Sequence, residues 1–170
     1  MDILILGLLG LMPLLVIVGG LTDLTTMKIP NWISGLLILF FLPAAFATGL
    51  PLTDMALHLG VGVLALLAGA GLFALRWIGG GDAKLMAAAC LWLGPTSSVV
   101  FLLWTGLIGG MFCLLLIFLR PRLRPLALVG PGWMSRLMEP EGDIPYGVAI
   151  AVGALLTWPA SPLMLRFIGA

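Results

Sequence analysis

The stretch GGGDAK at residues 79–84 places an aspartate and a lysine at the edge of a strongly apolar segment. The run that follows, residues 85–93, contains no charged side chain. An ionisable side chain so close to lipid-soluble sequence indicates a functional site, because burying a charge in hydrocarbon is costly. Asp82 is therefore the first candidate functional residue, and it needs a partner.

The composition of the whole chain indicates an integral membrane protein. Of its 170 residues, 62% are apolar and 9% are charged, and the mean hydropathy is +1.24. Soluble domains carry roughly 25% charged residues, so this chain has too few polar groups to cover a water-facing surface. The net charge of +1 does not indicate nucleic acid as a partner. We predict an all-α, polytopic protein embedded in the lipid bilayer.

Six apolar segments predict about six transmembrane helices in a compact bundle, which forms a single transmembrane domain over residues 1–170. The segments are residues 3–21, 33–50, 55–75, 83–93, 97–119 and 144–165, with a predicted cytoplasmic loop at 120–143. The pair Gly94-Pro95 separates the fourth segment from the fifth. Gly106 and Gly110 have GxxxG spacing, which predicts close helix packing at that pair.

The distribution of basic residues decides whether the short fourth segment crosses the membrane. Its length of about 11 residues is below the roughly 20 that a spanning helix needs. If all six segments cross, one side carries seven of the eight basic residues: Lys28, Arg76, Lys84, Arg120, Arg122, Arg124 and Arg136. By the positive-inside rule this side is the cytoplasm, and both termini lie outside. Asp23 and Asp82 then share the cytoplasmic edge, opposite the single histidine, His58.

The inventory of side chains limits the hydrolytic chemistry available at this edge. A zinc protease needs an HExxH motif, which the lone His58 excludes. A serine or cysteine nucleophile would need the same distant histidine as its base. Two carboxylates remain, one acting as base on water and the other as acid toward the scissile amide. We predict Asp23 and Asp82 as a catalytic pair that needs no metal and no cofactor.

Each aspartate also has a purely structural explanation. Asp23 fits a helix-end residue whose side chain bonds to nearby backbone, and Asp82 fits an N-cap that interacts favourably with the helix dipole. A plain cap needs at most one glycine, however, whereas three precede Asp82. Glycines at 79–81 permit positive φ and close approach of another chain, as a peptide-binding cleft requires.

Three motifs contain or flank these aspartates. GGGD at residues 79–82 has the GxGD pattern of membrane aspartyl proteases, DLTTMKIPN at 23–31 has the pattern D-x5-[IV]-P-N, and IPYG stands at 144–147. Together they resemble the type IV prepilin peptidases over nearly the whole chain. The resemblance implies an endopeptidase of the bacterial inner membrane that removes a short basic leader from prepilin or pseudopilin precursors. It also implies that Asp23 and Asp82 are the catalytic dyad.

Larger members of that family carry paired C-x-x-C motifs in an N-terminal cytoplasmic insertion and methylate the new N-terminus. This chain has only Cys90 and Cys113, both in apolar runs, and a first connecting loop of about ten residues. It resembles the small, peptidase-only branch associated with tight-adherence (Flp) pili. The resemblance implies no methylation, and other pilus-assembly proteins as possible further partners.

Residues beside the dyad are predicted to bind substrate or to support the site: Gly79, Gly81, Lys84, Pro30, Asn31, Pro145, Tyr146 and Gly147. Lys84 lies two positions after Asp82 and points away from it on a regular helix, so it either anchors at the headgroups or holds the substrate. Pro30 and Asn31 either start the second helix, with Asn31 capping it or holding backbone, or contact substrate. Residues 145–147 either line the cleft or begin the last helix.

Two functions of other classes compete with the protease. A small proton- or cation-coupled transporter would use Asp23 and Asp82 as ion sites at a broken helix. Against it, both carboxylates lie at one membrane edge and the chain has no internal repeat. A non-catalytic pilus-assembly scaffold would be unaffected by loss of either carboxylate.

Overall fold

The computed structural model describes residues 2–127, 130–140 and 142–169. In these ranges the chain forms helices and short connections, without a strand. The helices are α1 (Asp2–Thr26), α2 (Asn31–Ala47), α3 (Leu52–Ala74), α4 (Gly80–Ala127), α5 (Gly132–Leu137), α6 (Tyr146–Thr157) and α7 (Pro162–Ile168), with a 3-10 turn at Trp158–Ala160. The predicted all-α class is confirmed. Residues 128, 129 and 141 of the predicted loop 120–143 lie outside the described ranges.

Four helical stretches within these ranges are long and apolar enough to cross a membrane. They are Asp2–Thr26, Leu52–Ala74, Gly80–Leu123 and Tyr146–Ile168, and α2 is a shorter apolar helix of 17 residues. The third stretch has 44 residues and contains an internal break. These lengths confirm a polytopic membrane protein, while the number of crossings stays a prediction.

Gly94 divides α4 into a first arm, residues 80–93, and a second arm, residues 95–127. Its φ of 72° and ψ of 178° are not helical and belong to a region essentially restricted to glycine. The ring of His58 on α3 packs directly against it, and His58 Nδ1 lies 2.8 Å from the carbonyl oxygen of Leu91. The predicted break at Gly94-Pro95 is confirmed, and His58 is part of the packing around it.

The first arm of α4 is the buried centre of the bundle. Leu85, Cys90 and Trp92 are completely buried, and α1, α2, α3 and α6 all pack against α4. The indole N–H of Trp92 donates to the carbonyl oxygen of Leu37 on α2 at 2.7 Å, so this buried donor is satisfied. Because the arm begins two residues before Asp82, the core also fixes where that carboxylate lies.

Glycines bring the second arm of α4 against α6, although not at the predicted pair. A Cβ at Gly106 or Gly110 would meet only open space, so the predicted packing at that pair is wrong in the described chain. Gly109 between them lies under the ring of Tyr146, where a Cβ would come within 2.6 Å of the phenolic oxygen. Gly153 on α6 makes an equally close approach to Thr105. These contacts position Tyr146, the first residue of α6.

The helices extend beyond the predicted segments at the end of the bundle that carries Asp23. α1 continues to Thr26, so Asp23 lies in its last turns instead of after it. The hydroxyls of Thr22, Thr25 and Thr26 donate to carbonyl oxygens three or four residues earlier, which lets these polar residues remain helical. α4 continues to Ala127, well inside the predicted loop 120–143, and that loop also contains α5.

We expect Gly94→Ala to lower the free energy of unfolding by about 1–3 kcal/mol from backbone strain alone. A Cβ there would also come within 2.5 Å of Nε2 of His58. Unfolding in detergent with increasing dodecyl sulfate measures the loss. Gly106→Ala is the matched control, because its methyl group enters open space and alanine favours the helix. Equal stability of the two variants would contradict the role assigned to Gly94.

Candidate active site

Asp23 is held by the first turn of α6. Its side chain is buried, with 6% of its surface exposed, and Oδ2 accepts a hydrogen bond of 2.7 Å from the backbone N–H of Gly147. N–H groups in a first helical turn have no partner within the helix, and the helix dipole there favours negative charge. A Cβ at Gly147 would come within 2.8 Å of Asp23 Cβ. Glycine is therefore required for this close approach.

Asp82 lies in the first turn of α4. Its Oδ2 accepts a hydrogen bond of 3.2 Å from the backbone N–H of Gly79, as when a side chain reaches back to the residue that precedes a helix. Asp82 is therefore not the predicted N-cap, because α4 begins at Gly80, but its Oδ2 does cap the N–H of the residue before the helix. Oδ1 is shielded from solvent and has no hydrogen-bond partner among the described residues. Such a group costs about 1–3 kcal/mol, which capping alone does not explain.

The glycines before Asp82 act through close contacts. Gly79, Gly80 and Gly81 do not have positive φ, so that part of the prediction is wrong. A Cβ at Gly79 would lie 2.7 Å from Oδ2 of Asp82, and one at Gly81 would lie 3.0 Å from Cβ of Ile29. The second contact packs the segment that follows Asp23 against the start of α4. The two aspartate motifs are thereby brought together.

Asp23 and Asp82 line the same cavity, which has a volume of about 830 Å³. Asp143 lines this cavity beside the two aspartates. The remaining wall is formed by Met27, Phe73, Ala74, Arg76, Trp77, Ile78, Gly79, Gly142, Ile144 and Tyr146. A volume in the range of ligand pockets, about 300–1,000 Å³, accommodates a short segment of peptide.

Of the other predicted site residues, two line this cavity and two line a second groove. Gly79 and Tyr146 line the cavity, while Lys84 and Asn31 line a groove between α2, α3 and α4. The ammonium of Lys84 donates to Oδ1 of Asn31 at 2.9 Å. Lys84 does point away from Asp82, as predicted from the helical spacing.

The two prolines and Asn31 mark helix starts. Pro30 immediately precedes α2 and Pro145 immediately precedes α6. The predicted helix start at Pro30 and Asn31 is confirmed, because α2 begins at Asn31, but Asn31 makes no side-chain cap hydrogen bond. Of the two interpretations of residues 145–147, the start of the last helix is correct, and Tyr146 also lines the cavity.

Sequence analysis missed the cavity wall between α3 and α4. Phe73, Arg76, Trp77 and Ile78 all line it, and Trp77 is 74% exposed. Arg76 has a φ of 60°, and Met27 on the opposite wall has a φ of 55°, values that are unfavourable for residues with a side chain. The position of residues 73–78 just before residues 79–84 is the sequence signal that could have identified this wall.

Arg120 fastens the segment that carries Asp143. It is buried, with 8% of its surface exposed, and donates to the carbonyl oxygens of Leu137 at 3.0 Å and Asp143 at 2.9 Å. A small apolar cluster centred on Leu116, Leu137 and Met138 seats α5 beside it. One of the arginines that sequence analysis used only for topology therefore shapes the cavity.

Two carboxylates from separate helices of a membrane bundle, facing one cavity, suit acid–base hydrolysis at the membrane. A profile of the type IV leader peptidase family matches residues 10–114, which is more than half of the chain and includes both aspartates. The chain belongs to the type IV leader peptidase family, and it is a protease of the membrane whose family processes prepilin-type precursors. No curated protein and no solved structure matches it.

We expect Gly147→Ala to reduce cleavage of a prepilin peptide at least about tenfold. The added Cβ would come within 2.8 Å of Asp23 Cβ and push the N–H away from the carboxylate. Loss of a hydrogen bond to a charged group costs about 1.5–3 kcal/mol. The measurement is kcat/KM of the purified protein in detergent. Gly60→Ala on α3 is the matched control, because its methyl group meets nothing within 4 Å. A Gly147→Ala protein with the wild-type rate would show that this contact does not matter for activity.

We expect Arg120→Met to speed tryptic cleavage after the exposed Arg136 by about tenfold or more, since it removes two charge-assisted hydrogen bonds. Arg122→Met is the control, because Arg122 is exposed and bonds only within α4, to the carbonyl oxygen of Phe118. Limited proteolysis followed by mass spectrometry measures both rates. If the two variants are cleaved equally fast, Arg120 does not fasten this segment.

Proposed function

We propose that the chain is an aspartic endopeptidase in which Asp23 and Asp82 cleave the bond between a prepilin leader and the mature pilin. The observation that carries this proposal is the shared cavity, which both carboxylates line. Like charges at short range do not both ionise easily, so the pair favours a state that holds one proton. That state supplies a base and an acid together.

The reaction then follows from the two carboxyl groups. The ionised one accepts a proton from a water molecule, whose oxygen attacks the carbonyl carbon of the scissile amide. The protonated one donates its proton to the leaving nitrogen, so the C–N bond breaks without a charged amide leaving group. Each Oδ2 accepts a hydrogen bond from a glycine N–H, which fixes the orientation of the two carboxyl groups.

The cavity wall suits the precursor that the family implies. Three carboxylates, those of Asp23, Asp82 and Asp143, face a single arginine, Arg76, and this balance favours a basic leader. Phe73 and Trp77 add exposed aromatic surface for the apolar segment that follows the leader. With the predicted orientation, the site lies at the cytoplasmic face of the inner membrane, with both termini outside, where a precursor with a basic leader inside presents its scissile bond.

The short first connection and the absence of a C-x-x-C pair in the sequence support a peptidase of the Flp type that does not methylate its product. Cys90 is buried and Cys113 is half-buried, so both act as packing residues in this proposal. Family membership favours the peptidase over a transporter or a pilus-assembly scaffold.

We expect Asp23→Asn and Asp82→Asn each to reduce prepilin processing by a factor of about 10² to 10⁴, the usual contribution of a positioned acid or base. The asparagine oxygen can still accept the glycine N–H, so both variants should insert and fold. Processing of a co-expressed prepilin is measured by its mobility on a gel and by the mass of the product. The expected mass is that of a product with an unmethylated N-terminus.

Asp54→Asn is the matched control, because Asp54 pairs with Arg166 at the other end of α3 and does not line the cavity. It should process prepilin at the wild-type rate. A near wild-type rate for either Asp23→Asn or Asp82→Asn would remove that residue from the catalytic pair. If the purified wild-type protein and its variants all fail to cleave a prepilin peptide, the proposed endopeptidase activity is contradicted.

A further inference from the structure

A second concave surface lies on the opposite side of the start of α4 from the aspartates. This groove has a volume of about 400 Å³ and is almost entirely apolar. Its floor is the first arm of α4, at Ala87 and Leu91, and its walls are α2 and α3, at Ile38 and Leu66. Asp23 and Asp82 do not line it, so nothing in the proposed catalytic mechanism uses it.

Small residues keep this groove open. A Cβ at Gly35 of α2 would meet no atom within 4 Å, so this part of the wall is unfilled. Gly62 of α3 approaches the floor closely, since a Cβ there would lie 3.1 Å from Cβ of Leu91. α2 and α3 thus each pack on α4 while a channel remains between them.

One end of the groove carries a positive charge. The ammonium of Lys84 donates to Oδ1 of Asn31 at 2.9 Å, and no carboxylate pairs with it in the ranges 2–127, 130–140 and 142–169. An ammonium has three hydrogen-bond donors, so two remain for an anion. Asn31 holds the side chain in place at the mouth of an apolar channel.

The size of the groove decides what it accepts. A transmembrane helix is about 10 Å wide and rises 5.4 Å per turn, so 400 Å³ holds only about one turn. An unbranched hydrocarbon chain fits a long, narrow apolar space, and a phosphate balances the positive charge of Lys84. Basic pockets between transmembrane helices at the cytoplasmic side are suited to anionic headgroups.

We propose that this groove binds one anionic phospholipid of the membrane, with the phosphate at Lys84 and an acyl chain between α2 and α3. The lipid bridges α2 and α3 over the first arm of α4, the helix arm that carries Asp82. Its binding stabilises the fold, because anything that binds only the folded state raises the free energy of unfolding.

The test uses the full-length protein in detergent, titrated with phosphatidylglycerol and, in parallel, with phosphatidylcholine. Thermal unfolding and native mass spectrometry report binding. We expect phosphatidylglycerol to bind the wild type more tightly, and Lys84→Gln to lose about fivefold in affinity for it, as expected for one lysine near an anionic headgroup. Glutamine removes the charge and keeps an N–H donor. Phosphatidylcholine binding should be the same in both proteins.

Gly35→Leu tests the acyl-chain part of the groove. Its side chain enters open space and leucine favours the helix, so the variant should fold and lose binding of both lipids. Lys28→Gln is the control for Lys84, since Lys28 is exposed and outside the groove. Gly60→Leu is the control for Gly35, since a Cβ at Gly60 also meets no atom within 4 Å.

Three outcomes would overturn the proposal. The first is a preference for phosphatidylglycerol that Lys84→Gln retains. The second is a stabilisation of the same size from inorganic phosphate alone, which would make the site one for free anions. The third is a Gly35→Leu protein that binds lipid normally but binds prepilin poorly, which would assign the groove to the substrate.

Discussion

The hydrogen bond between Gly147 and Asp23 joins the end of α1 to the start of α6, and the site depends on it. It gives a buried carboxylate its donor and fixes the first turn of α6. Tyr146, seated over Gly109, then lines the cavity. The segment that leads into this turn is fastened by Arg120. One contact between residues 124 positions apart therefore positions the wall that α6 forms beside Asp23.

Features that depend on local chemistry could be predicted from the sequence. Apolar runs predict helices because a bilayer leaves backbone groups no other partner. Gly94-Pro95 predicts the break in α4 because glycine accepts its backbone angles and proline removes a donor. The two aspartates stand out because charge is scarce in this chain. The third motif, at residues 144–147, was identified as part of the site, although its hydrogen bond to Asp23 could not be predicted.

Features that depend on which helix faces are in contact could not be predicted. GxxxG spacing shows that Gly106 and Gly110 share a face, but not that this face has no neighbour among the described residues, whereas Gly109 has one. Asn31 looked like a cap because of its position, yet its side chain bonds to Lys84 on another helix. The wall at residues 73–78 has no recognisable pattern, since its residues are ordinary for a membrane interface. Its role follows from where the fold places it beside the aspartates, and its position just before residues 79–84 is its one sequence signal.

Both aspartates take their hydrogen bond from the main chain of a glycine, Gly147 in one case and Gly79 in the other. A main-chain donor has no rotamers, so holding the carboxylate restricts no neighbouring side chain. The same arrangement determines which substitutions near the site are tolerated. Most neighbours can be exchanged without removing a donor, because the donor is not encoded in a side chain. Selection then acts on the spacing and on the lack of a Cβ, and an insertion or deletion in either motif would disturb the site more than most substitutions around it.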